Sequence, residues 1–361
     1  MPSILRRLFV VILVTCGLSG PARADLKVSS WNIKHLGWGD DKNYQQVAHI
    51  ISGFDIMAIQ EVMDESALKR VVQTLNATTG HHWDYLASHA VGRGSYKELY
   101  GFVYRTEAVA YDSGAVVYID DRDQFAREPL SAQFVDKQTG KPFVMATIHV
   151  LYGDSKADRM PEIHALASYW GWLRETYGEV PVMMMGDFNF SPRDAAFGPL
   201  RRAGATPMIT SGKTTLSPRN GRFASLYDNI WIEPGTLTIA EKGIINFPKV
   251  LGINHKAARK TVSDHAPIYI VVNDITPRAS NPADVQKAPA KAPAMADTGD
   301  CIDLNRSSAQ RLADLPHVGE KRSQQIVAGR PWHSAAELTR INGIGTQRVK
   351  DIQSYQGLCR L

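Results

Sequence analysis

The residues able to do chemistry in this 361-residue chain stand at the ends of apolar runs. Val182 to Met185, with Pro181 ahead of them, lead into Gly186, Asp187, Phe188 and Asn189. Val28 to Trp31 lead into Asn32, Ile56 to Gln60 into Glu61, and Val144 to Ile148 into His149, while Asp264 and His265 stand just ahead of Ile268 to Val272. Short apolar runs bounded by Pro or Gly read as buried strands, and alternation along the first of them would turn Asp187 and Asn189 the same way. One Gly-Asp exit from a strand is ordinary turn chemistry; five strand ends carrying carboxylates, amides or imidazoles describe a reacting centre. That set suits cleavage of a phosphodiester, which needs a metal to polarise the phosphate, a positioned water, and a group to stabilise or protonate the leaving oxygen. A hard cation such as Mg²⁺, or Mn²⁺ in its place, takes oxygen ligands and keeps several waters, so one or two carboxylates suffice. Glu61 leads, with Asn32 and Asp264 beside it. Asp187 would orient or deprotonate the water, Asn189 would hold phosphate or water in line, and His149 and His265 would flank the phosphate, each needing a carboxylate to fix its tautomer.

These ends must be held by a sheet. From Asp25 to about Asp274, strand-like runs alternate with helical patterns at Tyr44 to Ser52, Glu65 to Leu75 and Glu162 to Tyr177, and the connections are of both hairpin and helix size. That mixture predicts an α/β fold, a mixed sheet pair flanked by helices. Ahead of it, Arg6 and Arg7 precede an apolar stretch from Leu8 to Leu18, and Ala22, Arg23 and Ala24 form a small-x-small site. This is the pattern of a cleavable secretory signal peptide, which places the mature protein in a periplasm or outside the cell; the apolar run is too short to span a bilayer. Behind the sandwich, residues 275–299 are rich in Pro, Ala and Lys and read as a semi-extended linker. Cys301 and Cys359 bracket the segment that follows, and an oxidising compartment argues for a disulfide between them. Closing so long a loop would contribute about 4 kcal/mol. Charge differs between the parts: residues 25–274 carry 26 Lys and Arg against 28 Asp and Glu, and residues 300–361 carry 9 against 6. Non-specific grip on a polyanion is therefore expected from the smaller part.

That part repeats itself. Leu315, Pro316, His317, Val318 and Gly319 ahead of Glu320 to Val327 match Ile341, Asn342, Gly343, Ile344 and Gly345 ahead of Thr346 to Ile352. Each copy reads as helix, glycine hairpin, helix, with backbone N–H groups free to bind a phosphate. Lys321, Arg322, Arg348 and Lys350 follow the turns closely. Residues 301–356 resemble the tandem helix-hairpin-helix domain of the bacterial competence DNA receptor, with His317 where that family usually has glycine. The resemblance implies sequence-independent binding to the DNA backbone.

The larger part resembles the endonuclease/exonuclease/phosphatase superfamily, on Trp31-Asn32-Ile33, Ile59-Gln60-Glu61, Gly186-Asp187-Phe188-Asn189, Tyr227-Asp228-Asn229-Ile230 and Ser263-Asp264-His265-Ala266-Pro267. Gly94-Ser95-Tyr96-Lys97-Glu98 and Phe125-Ala126-Arg127-Glu128-Pro129 resemble its deoxyribonuclease I branch. The resemblance implies a metal on Glu61 with Asn32 and Asp264 nearby. It pairs His149 with Glu98 and His265 with Asp228 as acid and base, puts Tyr96 and Arg127 on DNA phosphates, and implies 5′-phosphate and 3′-hydroxyl products. Asp123 and Glu128 with the backbone of Phe125 are a candidate Ca²⁺ site bracing the Arg127 loop. Met63 stands where the branch has an arginine that enters the minor groove, so weaker groove contact is expected. The leading expectation is a monomeric, metal-dependent deoxyribonuclease with its own DNA-binding tail. The same fold also hosts phosphodiesterases for other phosphoesters, and a catalytically silent DNA-uptake factor is the third reading. Deleting residues 276–361 is expected to weaken binding to long DNA and lower its salt dependence more than it lowers maximal turnover. Affinity measured across a salt series checks this, and an unchanged slope would contradict it.

Overall fold

The structure, a computed structural model, describes residues 25–278 except 40 and 220, and residues 301–359 except 306, 308, 330, 331, 333, 342, 356 and 357. The expected leader, residues 1–24, lies outside the described residues, as does the expected linker from residue 279 onward. The described residues fall into two compact units, one before and one after that interval.

The larger unit is a pair of mixed six-stranded sheets. One has the order β11 (Leu237–Ile244), β12 (Ile268–Ile275), β1 (Leu26–Leu36), β2 (Ile56–Val62), β4 (Leu99–Arg105) and β3 (Trp83–Ala87). The other has the order β5 (Val109–Val117), β6 (Leu130–Asp136), β7 (Lys141–His149), β8 (Val182–Asp187), β10 (Asp228–Ile232) and β9 (Thr206–Pro207). Val28, Ile56, Phe102 and Ile270 of the first sheet share the central core with Phe134, Met145, Met183 and Ile230 of the second. The alternate residues face outward under helices. Met57, Ile59 and Val103 pack with α1 (Tyr44–Ile51) and α2 (Glu65–Thr79), and Val144, Ala146 and Met184 pack with α3 (Lys156–Tyr177); three short helices, α4 (Gly198–Arg202), α5 (Phe247–Val250) and α6 (His255–Thr261), follow in the chain. Strands covered on both faces have no polar side to show, which is why the central ones read as unbroken apolar runs. The result is the expected two-sheet α/β sandwich.

Local chemistry sets the helix limits. The Asp64 side chain accepts from Ser66 N at 2.7 Å and starts α2, which runs past the expected Leu75 and stops at Gly80 in the left-handed conformation. α3 begins at Lys156, ahead of the expected Glu162 and continuing through Pro161, because Ser155 and Asp158 form a reciprocal capping box.

Topology gathers the strand ends at one rim. β1 runs parallel to β2 and β7 parallel to β8, so four strands finish there, while their antiparallel neighbours β12, β10 and β4 begin there. The register sets His149 beside Asp187 and Asp187 beside Asp228.

The smaller unit contains α7 (Ala309–Leu312), α8 (Gly319–Ala328), a 3₁₀ turn at Ala335–Arg340 and α9 (Thr346–Gln353). They close over Leu304, Leu315, Ile326, Trp332, Leu338 and Ile352. The expected Cys301–Cys359 disulfide is formed, with the Cα atoms 5.0 Å apart. Two details differ from the sequence reading. The leading helix of each hairpin is short, and in the second it is the 3₁₀ turn. Gly345 has ordinary extended backbone (φ −83°, ψ 173°), and the left-handed position of the second turn is Gly343 at φ +81°. His317 takes the matching conformation in the first turn, at φ +65°, and Gly319 is left-handed at φ +58°. Arg322 and Arg348 fold back onto equivalent carbonyls, those of His317 and Gly343, and so brace the turns. Lys321 and Lys350 are exposed beside them.

Gly186 is where the sheet can least tolerate change. It sits in β8 at φ +142°, and a Cβ there would lie 1.9 Å from the Ile148 carbonyl oxygen of β7. Gly186→Ala is expected to destabilise the unit by about 1–3 kcal/mol, the usual cost of overpacking. Denaturant unfolding checks this; an unmoved midpoint would be inconsistent with so close an approach.

Candidate active site

The rim residues close around an open pocket of about 560 Å³, whose lining includes Glu61, His149, Asp187, Asn189, Asp264 and His265. Two histidine–carboxylate pairs dominate it. His149 Nδ1 lies 2.9 and 3.1 Å from the Glu98 carboxylate oxygens, and His265 Nδ1 lies 3.1 and 2.9 Å from those of Asp228. Each carboxylate accepts a hydrogen bond from Nδ1–H and so turns Nε2 inward. The two Nε2 atoms then stand 3.6 Å and 3.5 Å from the same atom, Asp187 Oδ2. Asn32 Nδ2 donates to that oxygen at 3.2 Å and to Glu61 Oε1 at 2.8 Å, while the Glu61 Oε2 accepts from His35 N at 3.1 Å.

Burial and charge act against each other here. Burial alone would depress His265, but Asp228 and Asp187 raise it well above the ordinary histidine value. Burial and Arg127 push His149 down, and Glu98 and Asp187 more than offset them, so it too is raised. Burial would raise Glu98, yet His149 and Arg127 hold it below the usual carboxylate range. Asp187 is raised, by burial first and by Asp228, against the opposing pull of His265. Both imidazoles therefore favour the protonated form when nothing is bound.

The expected metal residues are all at the pocket, but they differ in setting. Glu61 presents its carboxylate there from a backbone at φ +57°, an uncommon conformation for glutamate. Asn32 Oδ1 accepts from Lys34 N at 2.9 Å, so the amide shows its nitrogen to the two carboxylates and orients them. Asp264 is shared between Lys34 Nζ at 3.5 Å and Arg259 Nη2 at 3.2 Å. A further grouping is Asp187, Asp228 and His265, whose ligand atoms lie within 4.8 Å of one another. Oxygen donors of this kind fit a hard divalent cation; Glu61, whose carboxylate lies 3.4 Å from His35 Nε2 and 3.9 Å from His149 Nε2, has no lysine or arginine within ion-pair distance among the described residues.

Other expected residues find different supports. Alternation does not align Asn189 with Asp187: β8 ends at Asp187, and Asn189 is reached through a left-handed turn at φ +48°. Its N–H donates to Asp187 Oδ1 and its Nδ2 to Val150 O, each at 2.8 Å. Tyr96 OH donates to Glu98 Oε2 at 3.3 Å and lies 4.0 Å from Met63 Sδ. Arg127, nearly buried, donates from Nε to the His149 carbonyl at 3.0 Å and sits 3.7 Å from Glu98 Oε1. Both thus reach the pocket and also hold the first pair in place. Of the residues named for a Ca²⁺ ion, Asp123 is exposed and its Oδ1 accepts from Arg93 Nε at 2.9 Å, while the Phe125 N–H donates to Asp120 Oδ2 at 2.6 Å and leaves the Phe125 carbonyl out of that bond.

Sequence reasoning missed two residues on α3. Glu162, 2% exposed, accepts from Ala126 N at 3.1 Å and from Leu151 N at 3.2 Å, tying the Arg127 and His149 loops to the helix. Arg159 donates to the Asn189 carbonyl at 2.8 Å and to that of Tyr152. Charged residues three apart on a face that also carries Ile163 and Leu166 were the available signal.

This chain belongs to the Endonuclease/Exonuclease/phosphatase family, whose signature spans residues 29–265 and so encloses the whole pocket. A helix-hairpin-helix motif spans residues 298–355. Over 368 aligned residues the chain is 42% identical to a protein of Thioalkalivibrio sp. (strain K90mix) named deoxyribonuclease, covering 99% of each. It is 30% identical to Homo sapiens deoxyribonuclease-1 over 68% of this chain and 92% of that one. Among solved structures, the Bacteroides thetaiotaomicron mannosyl-6-phosphatase superposes with a TM-score of 0.53 over 69% of this chain and all of its own, at 19% identity, a likeness of fold alone.

The Glu98–His149 pair makes stability depend on pH at both ends. Because Glu98 is lowered on folding, its contribution is whole above the ordinary carboxylate value and is lost as pH falls through the lowered one. Because His149 is raised, its contribution is whole below the ordinary histidine value and is lost as pH rises through the raised one. Without metal, stability from this pair is expected to peak between about pH 5 and 6.5. Glu98→Gln keeps the shape and removes the charge, and should flatten both limbs. Melting temperature against pH tests this; parallel profiles for wild type and variant would overturn it.

Proposed function

We propose that the chain is a secreted or periplasmic, divalent-metal-dependent endodeoxyribonuclease that leaves 5′-phosphate and 3′-hydroxyl ends. The observation that carries the reading is the pair of carboxylate-anchored histidines facing each other across Asp187. One imidazole can take a proton from water while the other gives one to the leaving oxygen. Asp187 and Asn189 would hold the water and the phosphate between them. The substrate class rests on the relatives named deoxyribonuclease and on the helix-hairpin-helix motif. Export rests on the residue pattern of positions 1–24; among the described residues no helix is long and apolar enough to cross a membrane.

The donor set supports the metal requirement. Carboxylates at the pocket and just behind it, Glu61, Glu98, Asp187, Asp228 and Asp264, stand among Lys34, Arg127, Arg259 and the two imidazoles. A phosphodiester brings a further negative charge, and an imidazole acting as base gives up a positive one. Mg²⁺ or Mn²⁺ on Glu61, with Asp264 and Asn32 nearby, would offset the negative charge so added. When bound, such an ion polarises the phosphate and offsets the developing negative charge.

The test is nicking of supercoiled plasmid by residues 25–361 in Mg²⁺ and in EDTA, beside Asp187→Ala and His265→Ala. Cutting is expected only with metal, with rates lowered by about 10²–10⁴ in the histidine variant, the range for a general acid or base, and lowered also in the aspartate variant. Product ends should accept a kinase label only after phosphatase treatment. Intact plasmid with the metal-loaded wild type would overturn the reading.

A further inference from the structure

Beside the catalytic pocket opens a second groove, of about 530 Å³, that shares Lys34, Ser217, Pro218 and Arg259 with it, so the two are continuous. Its cations are Lys34, Arg219, Lys256, Arg259 and Lys260, and among the described residues no carboxylate lines it. They come from three places: β1, the segment that carries Ser217, Pro218 and Arg219, and α6 (His255–Thr261). On α6 the spacing i, i+3, i+4 brings Lys256, Arg259 and Lys260 to one side of the helix.

Some of this charge is already engaged. Lys34 and Arg259 share Asp264, and Lys260 lies 3.5 Å from Asp41. Arg219 and Lys256 are exposed and have no ion pair among the described residues. His255 also lines the groove, with its Nε2 turned below the surface.

We infer that this groove carries the sugar-phosphate backbone of the DNA strand past Lys34, seating one or two phosphates beyond the scissile one. The inference rests on the nuclease reading and extends it to the register of the substrate. An open trough whose unpaired cations are exposed suits a strand whose bound counterions are released on contact; a small anion would call for buried donors. The groove also supplies backbone contact in a unit that has Met63 in place of a groove-entering arginine.

The test uses the full chain. Affinity for a labelled duplex is measured by anisotropy in EDTA across a salt series, for wild type, Arg219→Gln/Lys256→Gln, and a control of equal charge change, Lys69→Gln/Lys137→Gln, whose exposed lysines line neither cavity. The groove variant should lose about two from the slope of log K against log salt, one per phosphate contact, and the control should match wild type. With Mg²⁺ added, the groove variant's loss should fall on KM rather than kcat. Equal slopes in all three proteins, or the same loss in the control, would overturn the inference. Whether wild type cuts that duplex reports separately on the nuclease reading, because the binding measurement needs no cutting.

Discussion

The site depends on the register of three adjacent strands, β7, β8 and β10. Neighbouring strands lie about 4.8 Å apart, so residues in register at their ends are held within reach of one another before any side chain chooses a rotamer. His149, Asp187 and Asp228 occupy those positions. The opposite sheet supplies Asn32 and Glu61 from its own parallel pair, and His265 from the approach to β12. Two hydrogen-bonded sheets are stiff, and their apposition is fixed by a core of large residues such as Phe102, Phe134 and Met145. Slipping β8 by one residue would bury Asp187 in that core or turn it toward α3. Gly186 allows the close approach of β7 that the register requires.

Within that frame the charges constrain one another. Asp187 Oδ2 lies between two imidazole nitrogens, and each imidazole is held from behind by its own carboxylate. The result is a buried network in which every ionised group has a partner of opposite sign, the only form in which so much charge is tolerable away from water. It is also poised: the carboxylates that shift the histidines toward the protonated form are the ones a bound cation and phosphate would compete with. Arg127, Glu162 and Arg159 extend the network outward into the loops, so those loops are held by charge as well as by packing.

Sequence reading reached the strands and the residues at their ends because two-sided burial leaves a plain signal, an apolar run that stops abruptly. Glu98 and Asp228 were reached only through family resemblance; nothing local marks an acid at the start of a strand as the anchor of a distant histidine. Arg159 and Glu162 escaped for a different reason: a helix carrying both Leu166 and Arg159 on one side reads as weakly amphipathic, and the polar contacts that stabilise those charges come from loops far away in sequence. Asn189 was placed by alternation beyond the point where β8 ends, and the left-handed turn that truly positions it has no glycine to announce it. In the smaller unit the repeat was legible but the separate roles of its glycines were not: Gly343 is left-handed and Gly345 extended, and spacing alone does not distinguish them.

Composition averages charge over a unit and hides where it lies. Residues 25–274 are slightly acidic as a whole, which argued for a catalytic unit with little hold on a polyanion. Five of the 28 acids, however, meet at the pocket or just behind it, where cations lie beside them, and a balanced pocket projects little field. What an approaching phosphate strand meets is the unbalanced remainder, and beside the pocket that remainder is positive, with Arg219 and Lys256 at its centre. Screening makes this local view the relevant one: at physiological ionic strength charges farther away than about 8 Å contribute little, so the sum over the domain is not a quantity the ligand experiences. A net charge near zero is thus compatible with a backbone track on the catalytic unit, and the helix-hairpin-helix unit need not supply all of the affinity.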